Sequence, residues 1–132
     1  MEKIFNLVLL IDDDVNDIWF HKRIIQKTMF ATEVIAFENG KKALQFISKI
    51  ENPKPDIIFL DLYMPKMDGW EFIEEYQKLP EKITAAIQLF ILTSSVSATN
   101  QTKSLSYKWI KAFYEKPITK EMLQNITNLS QM

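Results

Sequence analysis

Five polar side chains that could take part in chemistry stand at the ends of short apolar runs: Asp12, Asp13, Asp61, Thr93 and Lys116. Asp61 follows residues 57–60, whose continuous apolar character is typical of a strand buried on both faces. An unpaired carboxylate is too costly to bury in a core, so Asp61 must lie at the rim of the sheet. Open α/β sheets bind their ligands at that rim, and we therefore expect Asp61 to belong to a functional site.

These polar groups would form a specific kind of site if they met at one edge of the sheet. Carboxylates brought close together repel each other, and their pKa values rise unless a cation lies between them. A set of oxygen ligands without His or Cys suits a hard cation such as Mg²⁺. The ammonium of Lys116 and the hydroxyl of Thr93 could then bind oxygens of an anion near the metal, an arrangement suited to phosphoryl transfer.

The apolar pattern predicts five strands and five helices in alternation, beginning with a strand. Strands are expected at residues 4–11, 34–37, 57–61, 87–92 and 112–114. Helices are expected at residues 15–30, 43–50, 70–79, 97–106 and 119–129, with Ile50 and Leu129 on the buried faces of the second and the last. This alternation predicts an α/β fold in which helices cover both faces of a parallel sheet.

The composition is that of an ordinary globular protein and excludes several classes of function. The 132 residues are 47% hydrophobic and 25% charged, and 16 basic against 17 acidic side chains leave a net charge of −1. We therefore expect one domain over residues 1–132, without direct nucleic-acid binding. The absence of Cys excludes thiolate sites, and a single His excludes a multi-histidine metal site. The N-terminal apolar run is too short to span a membrane, which favours a cytoplasmic protein without membrane insertion.

The chain resembles the receiver domain of bacterial response regulators in four motifs. They are residues 9–14 (LLIDDD), residues 59–65 (FLDLYMP) with residues 67–69 (MDG), residues 91–94 (ILTS) and residues 116–117 (KP). Each motif is weak alone, but together and in this order they are highly specific, and the resemblance covers essentially the whole chain. It implies a flavodoxin-like three-layer sandwich with the doubly wound strand order 2-1-3-4-5. It also implies a stand-alone receiver domain without an output domain.

The resemblance implies a role for each matching residue. Asp61 is expected to be the phosphoacceptor, and Asp12, Asp13, Asp61 and the backbone carbonyl of Tyr63 are expected to hold Mg²⁺. Lys116 is expected to pair with a phosphoryl oxygen. Thr93 is expected to move and donate a hydrogen bond to another phosphoryl oxygen, and Phe113 occupies the position of the aromatic switch residue. Tyr63 could also shield the acyl phosphate from water.

The implied partners are proteins. The donor is expected to be a sensor histidine kinase or a histidine phosphotransfer protein, each carrying a phosphohistidine. The downstream target is an unknown protein, bound through the face built from the fourth helix, the fifth strand and the fifth helix. This interpretation makes the chain a phosphoacceptor signalling domain that promotes its own phosphorylation and dephosphorylation, not an enzyme. It could equally be an intermediate that passes the phosphoryl group along a phosphorelay.

The same residues have other interpretations. Residues 12–14 could be acids favoured by the dipole of a following helix, Lys116 could be an ordinary loop residue, and Phe113 could be only a core aromatic. An aspartyl-nucleophile phosphatase or phosphomutase would want a second carboxylate two residues after Asp61, where Tyr63 stands. A nucleotide or flavin module would want a glycine-rich loop, but the chain has two glycines in all. A scaffold that has lost phosphorylation is disfavoured because no motif residue is missing, and His21 is expected on an exposed helix face without a role.

Overall fold

The structure, a computed structural model, describes residues 4–130 and has a five-stranded parallel sheet at its centre. The strands are β1 (Phe5–Ile11), β2 (Ala31–Phe37), β3 (Ile57–Leu60), β4 (Gln88–Thr93) and β5 (Ile110–Glu115). The helices are α1 (Val15–Lys27), α2 (Gly40–Ser48), α3 (Gly69–Tyr76), α4 (Glu81–Thr84), α5 (Ala98–Ser104) and α6 (Lys120–Ser130). The strand order is β2-β1-β3-β4-β5, which confirms the predicted doubly wound topology.

Two hydrophobic cores lie on the two faces of the sheet, as a three-layer arrangement requires. Successive residues of a strand point to opposite faces, so Leu7, Leu9 and Ile11 of β1 enter one core and Val8 and Leu10 enter the other. The first core also contains buried apolar side chains of α2 and α3, and the second contains buried apolar side chains of α1 and α6. The central strands read as continuous apolar runs because helices cover them on both sides.

The structure has one helix more than the sequence analysis predicted, so the expectation of five helices was wrong. Within residues 4–130 there are six, and the additional one is the single turn of α4. This turn follows Pro80, which ended the predicted pattern, and the N–H of Ile83 donates a hydrogen bond to the Pro80 carbonyl. A four-residue helix is too short to show a periodic pattern in the sequence. The predicted fourth and fifth helices correspond to α5 and α6.

Three side chains lie on other faces than predicted. His21 is 2% exposed, because it lies one helical turn before the buried Ile25 on the side of α1 that faces the sheet. Ile50 is 85% exposed, because the backbone of Lys49 is extended and α2 ends at Ser48. Leu129 is also exposed, since Leu123 and Thr127, four residues apart, occupy the buried stripe of α6.

The loop after β3 is fixed in place by a glycine and a capping box. A Cβ at Gly69 would lie 2.7 Å from the carbonyl oxygen of Asp61 and 2.8 Å from the Cα of Leu62, so the backbone can approach this closely only at glycine. The N–H of Gly69 donates a 2.8 Å hydrogen bond to the Leu62 carbonyl. Asp68 and Glu71 then form the capping box that begins α3. These contacts constrain the conformation of the loop beside Asp61.

Candidate functional site

Three carboxylates meet at the carboxyl end of the sheet. Asp12 and Asp13 follow β1, Asp61 follows the neighbouring β3, and one oxygen of each side chain lies within 4.8 Å of the others. The backbone fixes this meeting, because the N–H of Asp61 donates to the Ile11 carbonyl (2.9 Å) and the N–H of Asp12 donates to the Phe37 carbonyl (3.0 Å). Asp12 and Asp61 are buried and Asp13 is exposed, so the cluster opens to solvent on one side.

Lys116 reaches this cluster from the end of β5. Its Nζ lies 2.7 Å from Asp12, 3.2 Å from Asp61 and 2.7 Å from Asp17, a residue of α1. The backbone N–H of Lys116 also donates a 2.9 Å hydrogen bond to the Thr93 carbonyl, which fixes the position of the chain at the end of the sheet. Burial alone would lower the pKa of Lys116, but the contacts with Asp12 and Asp17 outweigh it and hold the pKa above its ordinary value. The lysine is therefore a permanent cation at the site.

The electrostatics of the cluster leave room for a second cation. Burial raises the pKa of Asp12 to about 6, and the nearby Lys116 offsets this rise only in part. The Lys116 ammonium contacts the carboxylates of Asp12, Asp17 and Asp61, and Asp13 adds a fourth carboxylate to the same cluster. An excess of negative charge carried only by oxygen ligands is the environment that suits a hard divalent cation.

Thr93 ends β4 and Phe113 lies in β5, as the sequence analysis predicted, and within residues 4–130 the Thr93 hydroxyl makes no hydrogen bond to a carboxylate of the cluster. Thr93 is the fully buried last residue of β4, and its Oγ1 accepts a hydrogen bond from the N–H of Ser95 (3.3 Å). Phe113 is half-buried in β5 and pairs with Ile91 of β4. Its ring lines a groove between α5 and β5, so it faces the elements beside the cluster.

Tyr63 is connected to α5 by a buried asparagine that the sequence analysis did not single out. The Nδ2 of Asn100 donates a 2.9 Å hydrogen bond to the Tyr63 hydroxyl and contacts the carbonyl and Oγ of Ser95 at 3.2 and 3.4 Å. The hydrogen bond from Asn100 lowers the pKa of the Tyr63 hydroxyl. Asn100 therefore joins the loop after β3 to the loop after β4. A buried Asn within a polar segment leaves no sequence signal by which it could be found.

The three consecutive aspartates divide into two roles. Asp14 is the N-cap of α1, and its Oδ1 accepts hydrogen bonds from the N–H groups of Asn16 (2.9 Å) and Asp17 (3.2 Å). The helix-start interpretation therefore describes Asp14, while Asp12 and Asp13 join the cluster. Asp17 was missed altogether, although its place one helical turn after Asp13 was a signal that could have found it.

The chain belongs to the response regulator receiver family. The family model described as the response regulator receiver domain matches residues 8–128, almost the whole chain. The solved structure of a two-component response regulator from Cytophaga hutchinsonii superimposes with a TM-score of 0.86 at 27% identity, covering 96% of this chain and 97% of that one. The fold, its strand order and the acidic cluster at the strand ends therefore define a receiver domain of the two-component signalling type.

Two curated relatives are longer than this chain. A protein-glutamate methylesterase/protein-glutamine glutaminase from Treponema denticola is 33% identical over 128 residues, which are 94% of this chain and 32% of the relative. The response regulator Rcp1 from Synechocystis is 30% identical over 93 residues, which are 67% of this chain and 62% of the relative. The chain thus spans about a third of the first relative and under two thirds of the second.

Proposed function

We propose that Asp61 accepts a phosphoryl group from a phosphohistidine of a sensor histidine kinase or a histidine phosphotransfer protein. The observation that carries this proposal is the cluster itself. The carboxylate of Asp61 lies within 4.8 Å of two others and 3.2 Å from the ammonium of Lys116, at the end of a buried strand. A nucleophile, two further acids and a cation in contact are the groups that phosphoryl transfer to a carboxylate requires.

The reaction balances with the groups present. An oxygen of the Asp61 carboxylate forms a bond to phosphorus while the bond from phosphorus to the histidine nitrogen breaks. The imidazole leaves with the electron pair and takes a proton from solvent. Lys116 is placed to stabilise the negative charge on a phosphoryl oxygen, because its ammonium is charged and lies within hydrogen-bond distance of Asp61.

The residues fit a bound Mg²⁺. The carboxylates of Asp12, Asp13 and Asp61 would hold the ion together with the backbone carbonyl of Tyr63, and Mg²⁺ normally keeps some of its waters at such a site. The bound ion would supply positive charge to the phosphoryl oxygens. Asp12 must be ionised to bind it, and its raised pKa makes this step sensitive to mild acid.

We further propose that the phosphorylated state is read by an unknown protein target at the face formed by α5, β5 and α6. The supporting observation is a groove of about 390 Å³ between α5 and β5, lined by residues that include Leu105, Ile110 and Phe113. Thr93, buried one strand away, would turn its hydroxyl from Ser95 to a phosphoryl oxygen, and Phe113 would follow into the space it leaves. The same chemistry would serve a phosphorelay intermediate.

The receiver is proposed to act as a signalling domain, with its own phosphorylation and dephosphorylation as its only chemistry. The match to the methylesterase covers a third of that protein, so this similarity supports a receiver domain and carries no information about esterase activity.

The cytoplasmic location stays a prediction from the sequence. Within residues 4–130, no helix is both long and apolar enough to cross a bilayer. Direct contact with nucleic acid is not part of the proposal.

The proposal is tested by intact-mass measurement after incubation with acetyl phosphate, with Mg²⁺ or with a chelator. We expect one phosphoryl adduct that requires Mg²⁺ and is lost in Asp61→Asn. The matched control is Asp68→Asn, which changes an acid of the same loop that caps α3 instead of joining the cluster. If neither acetyl phosphate nor a phosphohistidine donor labels the wild type, and beryllofluoride does not bind with Mg²⁺, the proposed function is wrong.

A further inference from the structure

Asp17 makes a close contact with Lys116, although the family resemblance gives it no role. Lys116 Nζ donates two hydrogen bonds, one to Asp17 at 2.7 Å and one to the nucleophile Asp61 at 3.2 Å. The third carboxylate near the ammonium, that of Asp12, lies at 2.7 Å as an ion pair. The shorter of the two hydrogen bonds thus goes to the carboxylate that is not part of the three-acid cluster.

The position of Asp17 is fixed independently of Lys116. It stands in the first turn of α1, where its backbone N–H is bound by the side chain of Asp14. The side chain of Asp17 is 38% exposed and that of Lys116 is 11% exposed, so the carboxylate is the more accessible partner of this contact. A helix begun by a capping residue is a rigid support, and a side chain on it can hold a flexible lysine at a defined place.

We infer that Asp17 is a positioning residue for the phosphorylation reaction, acting through its hydrogen bond to Lys116. This inference rests on the proposed phosphoacceptor role of Asp61. When Asp61 becomes an acyl phosphate, its carboxylate charge is replaced by a phosphoryl group. If Asp12 and Asp61 bind a cation, they also give up part of their attraction for the ammonium. Asp17 then is the partner that keeps Lys116 facing the phosphoryl oxygens throughout the reaction.

The first test is kinetic and uses a double-mutant cycle. Phosphorylation by acetyl phosphate is followed by intact mass over a range of donor concentrations, which separates the maximal rate from donor affinity. We expect Asp17→Ala to lower the maximal rate about five- to tenfold, and Asp17→Glu, which keeps the charge, to recover most of it. In a Lys116→Ala background the same Asp17→Ala change should alter the rate by less than about twofold, because its target is gone.

The second test measures the lysine directly and needs no phosphorylation. Nitrogen-15 NMR of the ammonium groups reports how fast the Lys116 protons exchange with water, and we expect about tenfold faster exchange in Asp17→Ala, since an ordered hydrogen bond is lost. The control is Glu115→Gln, which removes a charge at the next residue along the chain, on an exposed side chain, and keeps Asp12, Asp17 and Asp61 as the partners of Lys116 Nζ.

The outcomes separate this inference from the proposed function. If the wild type is phosphorylated and Asp17→Ala is phosphorylated at the same rate or faster, Asp17 does not position Lys116 for the reaction. An equal slowing by Asp17→Ala with and without Lys116 would show that Asp17 acts by another route. Unchanged ammonium exchange in Asp17→Ala would overturn the inference even if the wild type proved unable to accept a phosphoryl group.

Discussion

The two sides of the site are built in opposite ways. Beneath the carboxylates, β1 and β3 are continuous apolar strands whose residues from Val8 to Ile11 and from Ile57 to Leu60 are at most 2% exposed. The other side of the site is α5 (Ala98–Ser104), all of which the structure describes. Its two buried side chains, Asn100 and Ser104, are both polar. Leu105, which follows this helix, is 86% exposed.

This difference indicates where the molecule can change shape. A strand buried on both faces is held by dispersion and apolar burial, which are lost only when the core opens. A helix held by a few hydrogen bonds opens at a small fraction of the global free energy of unfolding. The groups proposed to do the chemistry therefore stand on a rigid base, and we expect the segment proposed to report the chemistry to open more easily than this base.

The largest expected effect comes from a matched pair of leucines. Leu60→Ala removes a fully buried side chain next to Asp61 and should lower the free energy of unfolding by about 3 kcal/mol, because a cavity forms in the core. Leu105→Ala makes the same chemical change beside α5 and should cost less than about 0.5 kcal/mol. Urea unfolding measures both. A loss above about 1 kcal/mol in unfolding free energy for Leu105→Ala would contradict the weaker attachment of the α5 side.

His21, on the side of α1 that faces the sheet, should make the stability of the protein sensitive to acid. Burial lowers its pKa from 6.5 to about 4, so between these pH values the unfolded chain binds the proton that the folded protein excludes. Its contribution to stability is therefore complete above pH 6.5 and is lost as the pH falls towards 4. We expect His21→Leu to gain about 2–3 kcal/mol relative to the wild type between pH 7 and pH 4.

The measurement for His21 is urea unfolding of both proteins at several pH values, and it requires a correction for Asp12. The pKa of Asp12 is raised from 3.8 to about 6, so its effect has the opposite sign, and its contribution falls as the pH rises through that window. The wild type alone can therefore show little net dependence on pH. A parallel pH dependence of the two proteins would contradict the buried, neutral state of His21.

The close approach at Gly69 provides a third test of rigidity. Gly69→Ala would place a methyl group 2.7 Å from the Asp61 carbonyl oxygen and force the two backbone segments apart. We expect a loss of about 2 kcal/mol in unfolding free energy and slower phosphorylation, because Asp61 shifts with its backbone. The control is Ala98→Gly at the exposed start of α5, which should leave phosphorylation unchanged. A Gly69→Ala protein of wild-type stability would show that the backbone beside Asp61 moves aside at little cost in free energy.

The affinity for Mg²⁺ should fall in mild acid. Because burial raises the pKa of Asp12 to about 6, the folded protein is protonated there below this value, and the proton must leave before the metal binds. We expect Mg²⁺ affinity to fall about tenfold per pH unit below pH 6. Titration calorimetry at pH 5, 6 and 7 measures this dependence, and Asp68→Asn, which changes an acid outside the cluster, is the control that should keep it. Constant affinity across the range would place Asp12 outside the metal site.

The smallest expected effects concern the attachment of α5. Asn100→Ala removes the side chain that contacts both Tyr63 and Ser95, and should speed amide hydrogen exchange in α5 about tenfold while α6 stays unchanged. Tyr63→Phe removes one hydrogen bond and keeps the ring, so its effect should be smaller. If the Tyr63 ring shields the acyl phosphate, Tyr63→Ala will also dephosphorylate faster than Tyr63→Phe. An Asn100→Ala protein whose α5 amides exchange at the wild-type rate would show that other contacts hold the helix.

Much of the fold could be predicted from the sequence because its signals are strong and local. Continuous apolar runs predicted the buried strands, and polar residues at their ends predicted the edge where Asp12, Asp13, Asp61 and Lys116 meet. Parallel strands bring their carboxyl ends to one side whatever the details of packing. The order of the motifs indicates the family from the sequence alone. The single turn of α4 was not predicted, because a four-residue helix is too short to show helical periodicity in the sequence.

The tertiary structure alone decided which side chains touch. Local sequence patterns determine neither the rotation of α1 that buries His21 nor the contact of Lys116 with Asp17, because both depend on how the helix packs on the sheet. The connection from Tyr63 through Asn100 to Ser95 joins residues from three separate segments. Local pattern determines which elements form and where their ends lie. Contacts between distant segments follow from packing, and they are what position a lysine or attach a helix.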